Sequence, residues 1–294
     1  MFYRRKIILA LLQVFGGSLE KINLQKLLFL VCQKQKEPDY DFIPYLYGCY
    51  SHSAKADLFT MVKKDLLTDD GTSYSKKDRK NYLALLDEED KQLVNQAYAL
   101  YHKMDADGLM KHTYTSFPWY AINSTAADRL LTKAEMDKVN SLRPALIHTT
   151  LYSIGYEGIS LETYLNKLIQ YDIKVLVDVR NNPMSQKFGF SKSQLIRYCE
   201  GLHIEYIHFA EVGIQSEYRQ ELKEQSDYDK LFEIYKNKTL PNTISTQEKI
   251  LTLLKDKKRI ALTCFEANIC QCHRKHLAEA ITLLSGWNYE LKHI

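Results

Sequence analysis

Three of the six cysteines fall within nine residues, in the stretch RIALTCFEANICQCHRKHLAEA that begins at Arg259. Glu266, His273 and Arg274 stand among them. These residue types at this spacing suit a metal site, a reactive thiol, an anion pocket, or a core strand with cysteine as filler. The order C-x5-C-x-C-H lacks the two separated pairs usual in structural zinc sites, so neither a metal nor any other cofactor is expected. RIALTC reads as a buried strand ending at Cys264. Leu277, Ala278, Ile281 and Leu284 give the next helix an apolar face, which puts Cys272, His273 and Arg274 in its first turn. Unpaired N–H groups and the positive end of the helix dipole gather there. An arginine in that turn can hold a phosphate or carboxylate, and a thiol there is expected to be partly ionised near neutrality. The cluster taken alone is equally well read as two small core cysteines and a surface arginine.

A second group shifts that balance. In VLVDVRNNPMS, strand alternation places Asp178 and Arg180 on one face. Pro183 then fixes a turn and Ser185 supplies a hydroxyl. Asp178 and Arg180 alone could simply neutralise each other. Tyr156 and Glu157 close the strand LYSIGYEG, and Glu266 and Arg274 lie at the same kind of strand end. Asp178, Arg180, Glu266 and Arg274 are therefore expected to meet in one pocket.

The elements that must position these residues are legible from periodicity. LYSIGYEG, IKVLVDVR, IEYIHFA and RIALTCFE are strand-like, and helical patterns lie between and after them. That alternation predicts an α/β fold with an open, mainly parallel, Rossmann-like sheet, whose ligands sit beyond the carboxyl ends of the strands. The first half reads as mostly helical and winged-helix-like. Ile7, Ile8, Leu11, Leu12 and Phe15 share a helix face that ends at Gly16-Gly17. Asn23 is expected to cap a second helix, and Pro38 to prevent its continuation. FIPYLYGCYSHS reads as a short β segment and Ser53 as the start of a third helix. LLTDDGTSYSKKDRKNYLAL reads as a hairpin, followed by a helix from about Glu88 to Lys103. The boundary falls near Arg143-Pro144, giving domains at 1–147 and 148–294.

Composition bounds the class. The chain has 294 residues, 45% hydrophobic and 26% charged, with a net charge of +4. This is globular composition without the basic excess of a non-specific nucleic-acid binder. No apolar run is long enough to span a membrane. The basic start before IILALLQVF runs on into an amphipathic pattern, so it reads as a helix and not as a signal peptide. The cysteines at 32, 49, 199, 264, 270 and 272 show no disulfide framework, and a reducing cytoplasm is the expected location.

YSIGYEGISLETYLNKL, VLVDVRNNPMSQKFGFSKSQL, IEYIHFAEVG and LTCFEANICQCHR follow the order of a bacterial family, domain of unknown function 488, which the chain resembles over about residues 150–285. Carried over are Gly155, Tyr156, Glu157, Asp178, Arg180, Pro183, Ser185, Cys264, Glu266, Cys272, His273 and Arg274. Ile214 departs from the second glycine that the family often has after Val212-Gly213. The resemblance implies an α/β fold with a polar pocket and no assigned chemistry. Relatives are sometimes labelled as DNA-repair or phage-defence proteins. The first half resembles panacea-like antitoxin domains through INLQKLLFL, YLYGCYS and KHTYTSFPWY, with Cys49 in place of the usual proline. That resemblance implies binding to protein or nucleic acid. Rhodaneses and cysteine phosphatases also place D-V-R before a cysteine loop. Their phosphate cradle needs an arginine six residues after the cysteine, and position 270 is cysteine. Cys264 is not expected to be such a nucleophile.

The resulting expectation is an enzyme acting on a nucleotide, nucleoside or nucleic acid, through glycosidic-bond or phosphate-ester chemistry. Asp178, Glu266, Glu157 and Cys272 are the candidate catalytic groups. Arg180, Arg274, His273, Ser185 and Tyr156 are the candidate substrate- or anion-binding groups. The alternative is a sensor or adaptor without turnover, whose N-terminal module binds DNA or a protein partner. No membrane partner is expected.

Overall fold

The computed structural model describes residues 1–145, 147–215 and 224–294. The chain divides into two compact units, Met1–Arg143 and Pro144–Ile294.

The first unit is mostly helical. It runs α1 (Tyr3–Val14), β1 (Ser18–Glu20), α2 (Lys21–Cys32), β2 (Ile43–Tyr45), β3 (Gly48–Tyr50), α3 (His52–Lys63), β4 (Leu67–Asp69), β5 (Ser73–Lys76), α4 (Glu88–Tyr101), α5 (Ala106–Ser116), α6 (Ala127–Leu130) and α7 (Lys133–Ser141). β1, β5 and β4 form an antiparallel sheet in that order, and β2 pairs with β3. Ile7, Ile8, Leu11 and Leu12 of α1 are buried against Leu24, Leu27, Leu28 and Val31 of α2. Two helix starts differ from expectation. α2 follows β1 directly with Glu20 at its N-cap, which leaves Asn23 inside the first turn, its buried Oδ1 without a hydrogen-bond partner among the described residues. α3 is capped by Ser51, whose Oγ accepts from the Ala54 N–H at 3.2 Å, so Ser53 lies within the helix.

The second unit runs β6 (Thr150–Gly155), α8 (Leu161–Gln170), β7 (Val175–Asp178), α9 (Lys192–Glu200), β8 (Glu205–His208), α10 (Gln225–Ile234), α11 (Leu240–Asn242), α12 (Ile244–Lys257), β9 (Arg259–Cys264), α13 (His273–Thr282) and β10 (Glu290–His293). Its sheet has the order β10-β6-β9-β7-β8, and every pairing is parallel. β10 was not expected. It pairs with β6 at the sheet edge, and ELKH is too exposed and charged to carry an apolar strand pattern.

Register assigns the two faces. Asp178 is opposite Thr263, so these two side chains share a face, and Tyr164 of α8 donates to Thr263 Oγ1 at 2.7 Å. Val177, Val179, Ile260, Leu262 and Cys264 belong to the other face, in one core with Ile250, Leu251 and Leu254 of α12 and Leu277, Ala278 and Ile281 of α13. The chain leaves β7 outward to β8 but leaves β9 in the opposite direction, past β6 to β10. β7 and β9 are neighbours, so the topological switch point lies between their carboxyl ends.

Candidate functional site

Two side-chain clusters occupy that carboxyl edge. The first is built on Asp178, which is fully buried. Its Oδ1 accepts from the Arg180 N–H at 3.0 Å and from Arg180 Nε at 2.9 Å, and its Oδ2 accepts from Arg180 Nη2 at 2.5 Å. Tyr206 adds a hydroxyl donor to Oδ2 at 2.5 Å. Arg180 Nη1 donates to the Tyr156 hydroxyl at 2.7 Å and to the Phe190 carbonyl at 2.9 Å. Tyr156 and Phe190 stack at 4.2 Å with their planes 9° apart. Burial works against the Arg180 cation, but the hydrogen bonds and charge of Asp178 outweigh it and hold the guanidinium above its usual pKa. Burial, reinforced by Asp178, likewise pushes the Tyr206 phenol up. Asp178 is thus saturated with donors. It does not point into an open cleft as a poised acid or base.

The second cluster lies on the opposite face. Cys264 ends β9, Cys272 is the N-cap of α13 and His273 is its first residue. Cys264 Sγ and Cys272 Sγ each lie 3.1 Å from Glu266 Oε2, and Cys264 Sγ lies 3.6 Å from His273 Nδ1. One donor atom from each of Cys264, Glu266, Cys272 and His273 falls within 4.8 Å of all the others. His273 Nε2 is 3.0 Å from the Val179 carbonyl oxygen. The Cys272 thiol does not have the depressed pKa expected for a helix N-terminus. Burial raises it well above the ordinary value, and Cys264 and Glu266 add to the rise, so the dipole is overcome.

The loop bearing Glu266 is clamped from several sides. The Tyr156 and Glu157 N–H groups donate to the Phe265 carbonyl at 3.1 and 2.9 Å. Glu157 Oε2 accepts from the Ala267 N–H at 2.9 Å. Arg274 is 2% exposed, and its Nη1 donates to the Glu266 carbonyl at 2.5 Å. Its Nη2 lies 3.4 Å from the Ala267 carbonyl, and its Nε has no hydrogen-bond partner among the described residues. Arg274 is therefore a buried brace for the loop, contrary to the expectation of an anion-gripping side chain. Glu157 acts as a second brace. Gly155 has to be glycine here, because a Cβ would stand 2.0 Å from the Glu266 carbonyl oxygen. Gly213 is similarly overlain, at 2.2 Å, by the backbone N of Asn181.

The four residues expected in one pocket are thus distributed differently. A cavity of about 190 Å³ at the switch point is lined by Arg180, Asn181, Asn182, Met184, Ile214, Cys264 and Phe265. Of the four, only Arg180 lines it, because Asp178 is enclosed on one face while Glu266 and Arg274 serve the β9–α13 loop. Ser185 accepts from Lys187 N at 3.2 Å within its own turn, and its hydroxyl also meets Tyr156 of the first cluster. The four donor atoms that converge come from a strand end, a loop and a helix start, a convergence that their spacing in the sequence does not display. Sequence reasoning missed Tyr206 and His208. His208 Nε2 lies 2.8 Å from the Arg180 carbonyl oxygen. Their alternation in IEYIHFA, with Asp178 opposite His208, was the signal that could have found them.

Residues 160–281 match the family model described as Domain of unknown function DUF488. That match spans α8 to α13 and includes both clusters, apart from Tyr156. No curated protein matches the chain. Among the described residues, no helix is long and apolar enough to cross a membrane.

Proposed function

We propose that the α/β unit is an enzyme domain acting on a nucleotide- or nucleoside-class substrate held at the switch point. The observation that carries this reading is the shared opening. One cavity touches both the guanidinium residue Arg180 and Cys264, a member of the sulfur–imidazole–carboxylate cluster. Its rim is apolar and accessible: Met184 is 78% exposed and Phe265 40% exposed. Such a rim suits stacking of a base, and the amides of Asn181 and Asn182 suit its polar edge. Chemistry is assigned to the side of Cys264, Glu266, Cys272 and His273, because Asp178 is saturated.

The test is isothermal titration of the full chain with nucleotides, nucleosides and short single-stranded oligonucleotides, with products read by mass spectrometry. Phe265→Ala is expected to weaken binding by roughly 1–3 kcal/mol, the worth of one base stack. No binding by any of these classes rejects the reading. Binding without a product favours the sensor or adaptor alternative.

For the first unit we propose a winged-helix-like module. The order helix–strand–helix–strand pair–helix–hairpin, with β1 paired to the last hairpin, supports this. Asp69 and Asp70 are exposed at the hairpin tip, where a DNA-binding wing would approach phosphates, and this favours a protein partner.

A further inference from the structure

We infer that Cys264, Glu266, Cys272 and His273 together bind one thiophilic divalent cation, for which zinc is the best fit. The inference deepens the site proposed above by assigning its reactive side a metal, but it stands on the cluster's own geometry. Two sulfurs, an imidazole nitrogen and a carboxylate oxygen are the donor set of zinc, whereas magnesium and calcium take shells of oxygen. Zinc bonds of about 2.0–2.3 Å directed to a tetrahedron place neighbouring ligand atoms roughly 3.3–3.8 Å apart, and a sulfur and an oxygen or nitrogen about 3.5 Å apart. The observed separations of 3.1, 3.1 and 3.6 Å, with all four atoms inside 4.8 Å, need only small side-chain adjustments to reach that figure.

The surroundings complete the pattern. A ligating histidine normally donates its other ring N–H to a carbonyl or carboxylate, which fixes the tautomer and aims the lone pair at the metal. His273 does this: Nε2–H donates to Val179 O at 3.0 Å, and Nδ1 is turned toward Cys264. Three of the ligating residues are shielded from water, with Cys264 at 0%, Cys272 at 1% and His273 at 1% exposure. Binding releases the two thiol protons to solvent. A +2 ion with two thiolates and one carboxylate leaves one net negative charge. Arg274 follows His273 directly, and its guanidinium donates to two backbone carbonyls, so its positive charge can offset that excess. The braces on the Glu266 loop then have a common purpose, which is to hold a short, irregular segment in ligating geometry.

The test is elemental analysis of the full chain after zinc loading and dialysis, together with cobalt(II) titration of the chelator-stripped protein. One equivalent of zinc is expected, with the thiolate-to-cobalt charge-transfer band and intense visible bands of a tetrahedral site. Cys264→Ser with Cys272→Ser is expected to lower zinc below about a tenth of an equivalent, while Cys270→Ala, at an exposed position outside the cluster, retains it. Wild-type protein that takes up neither ion overturns the inference. So does full zinc content in the folded double variant. If the double variant does not fold, the wild-type cobalt spectrum decides, and an octahedral or sulfur-free spectrum overturns the proposal. Zinc content is read without any nucleotide present, so failure of the substrate reading leaves this result standing.

Discussion

The two faces of one sheet edge use polar residues in opposite ways. On the α8 face, Asp178 meets Arg180 and Tyr206, and each acceptor finds a donor. On the α13 face, two thiols donate to one Glu266 oxygen beside the His273 imidazole, and all four groups can turn a lone pair to one cation. A closed set of complementary partners explains itself as structure. A convergence of two sulfurs, an imidazole and a carboxylate also suits a shared positive partner. Charge alone therefore does not mark the side to which we assign the chemistry. The more heavily charged residues, Asp178 and Arg180, are the fixed ones.

The strongest way to break this comparison is Arg180→Ala. It strands the buried Asp178 carboxylate and is expected to cost about 3–5 kcal/mol, read as a large fall in Tm, with zinc content unchanged in whatever protein remains folded. Arg180→Lys should recover only part, because the forked contact to Asp178 is lost. A near wild-type melt of Arg180→Ala would show that the first cluster is not the structural one.

Tyr206→Phe removes one hydrogen bond to a charged acceptor and is expected to cost about 1.5–3 kcal/mol. Its pH dependence sharpens the point. The folded-state pKa of Tyr206 is raised, so its contribution is full below the unfolded value of 10.0 and is lost as pH rises above it. Denaturant melts at pH 8 and above pH 10 should show the variant losing less stability than wild type over that interval. Equal losses would remove Tyr206 from the network.

Gly155→Ala addresses the other side. Its Cβ would collide with the Glu266 backbone, so the loop must shift, at about 1–3 kcal/mol by the usual scale of overpacking. Unlike Tyr206→Phe, it should also weaken zinc uptake, measured by competition with a chromogenic chelator. The smallest effect is expected from Cys270→Ala, within about 0.5 kcal/mol, because the residue is exposed and apart from the cluster.

The fold of the second unit was largely legible because β6, β7, β8 and β9 are short runs rich in β-branched and aromatic residues, flanked by helical periodicity. β10 was not legible, since an edge strand of charged residues needs only backbone pairing. The carboxyl edge as the location of the site followed from strand ends. Which groups face one another did not, because that depends on strand order: β9 inserts between β6 and β7, so residues about 90 positions apart, such as His273 and Val179, become partners. The N-caps were misplaced by two or three residues for a related reason. Asn23 and Ser53 are good capping types, but the preceding strands β1 and β3 set where each helix begins.

The sulfur and imidazole ligands are all contained in residues 264–273, whereas the Asp178 network draws on segments from Tyr156 to Tyr206. A cluster so local in sequence has a kinetic meaning. A cation captured by this one segment fixes the β9 end and the first turn of α13 before distant strands have paired, and so relieves part of the unfavourable nucleation of that helix. The same local affinity extends to the unfolded chain, which makes the metal a better accelerator of folding than stabiliser of the folded state.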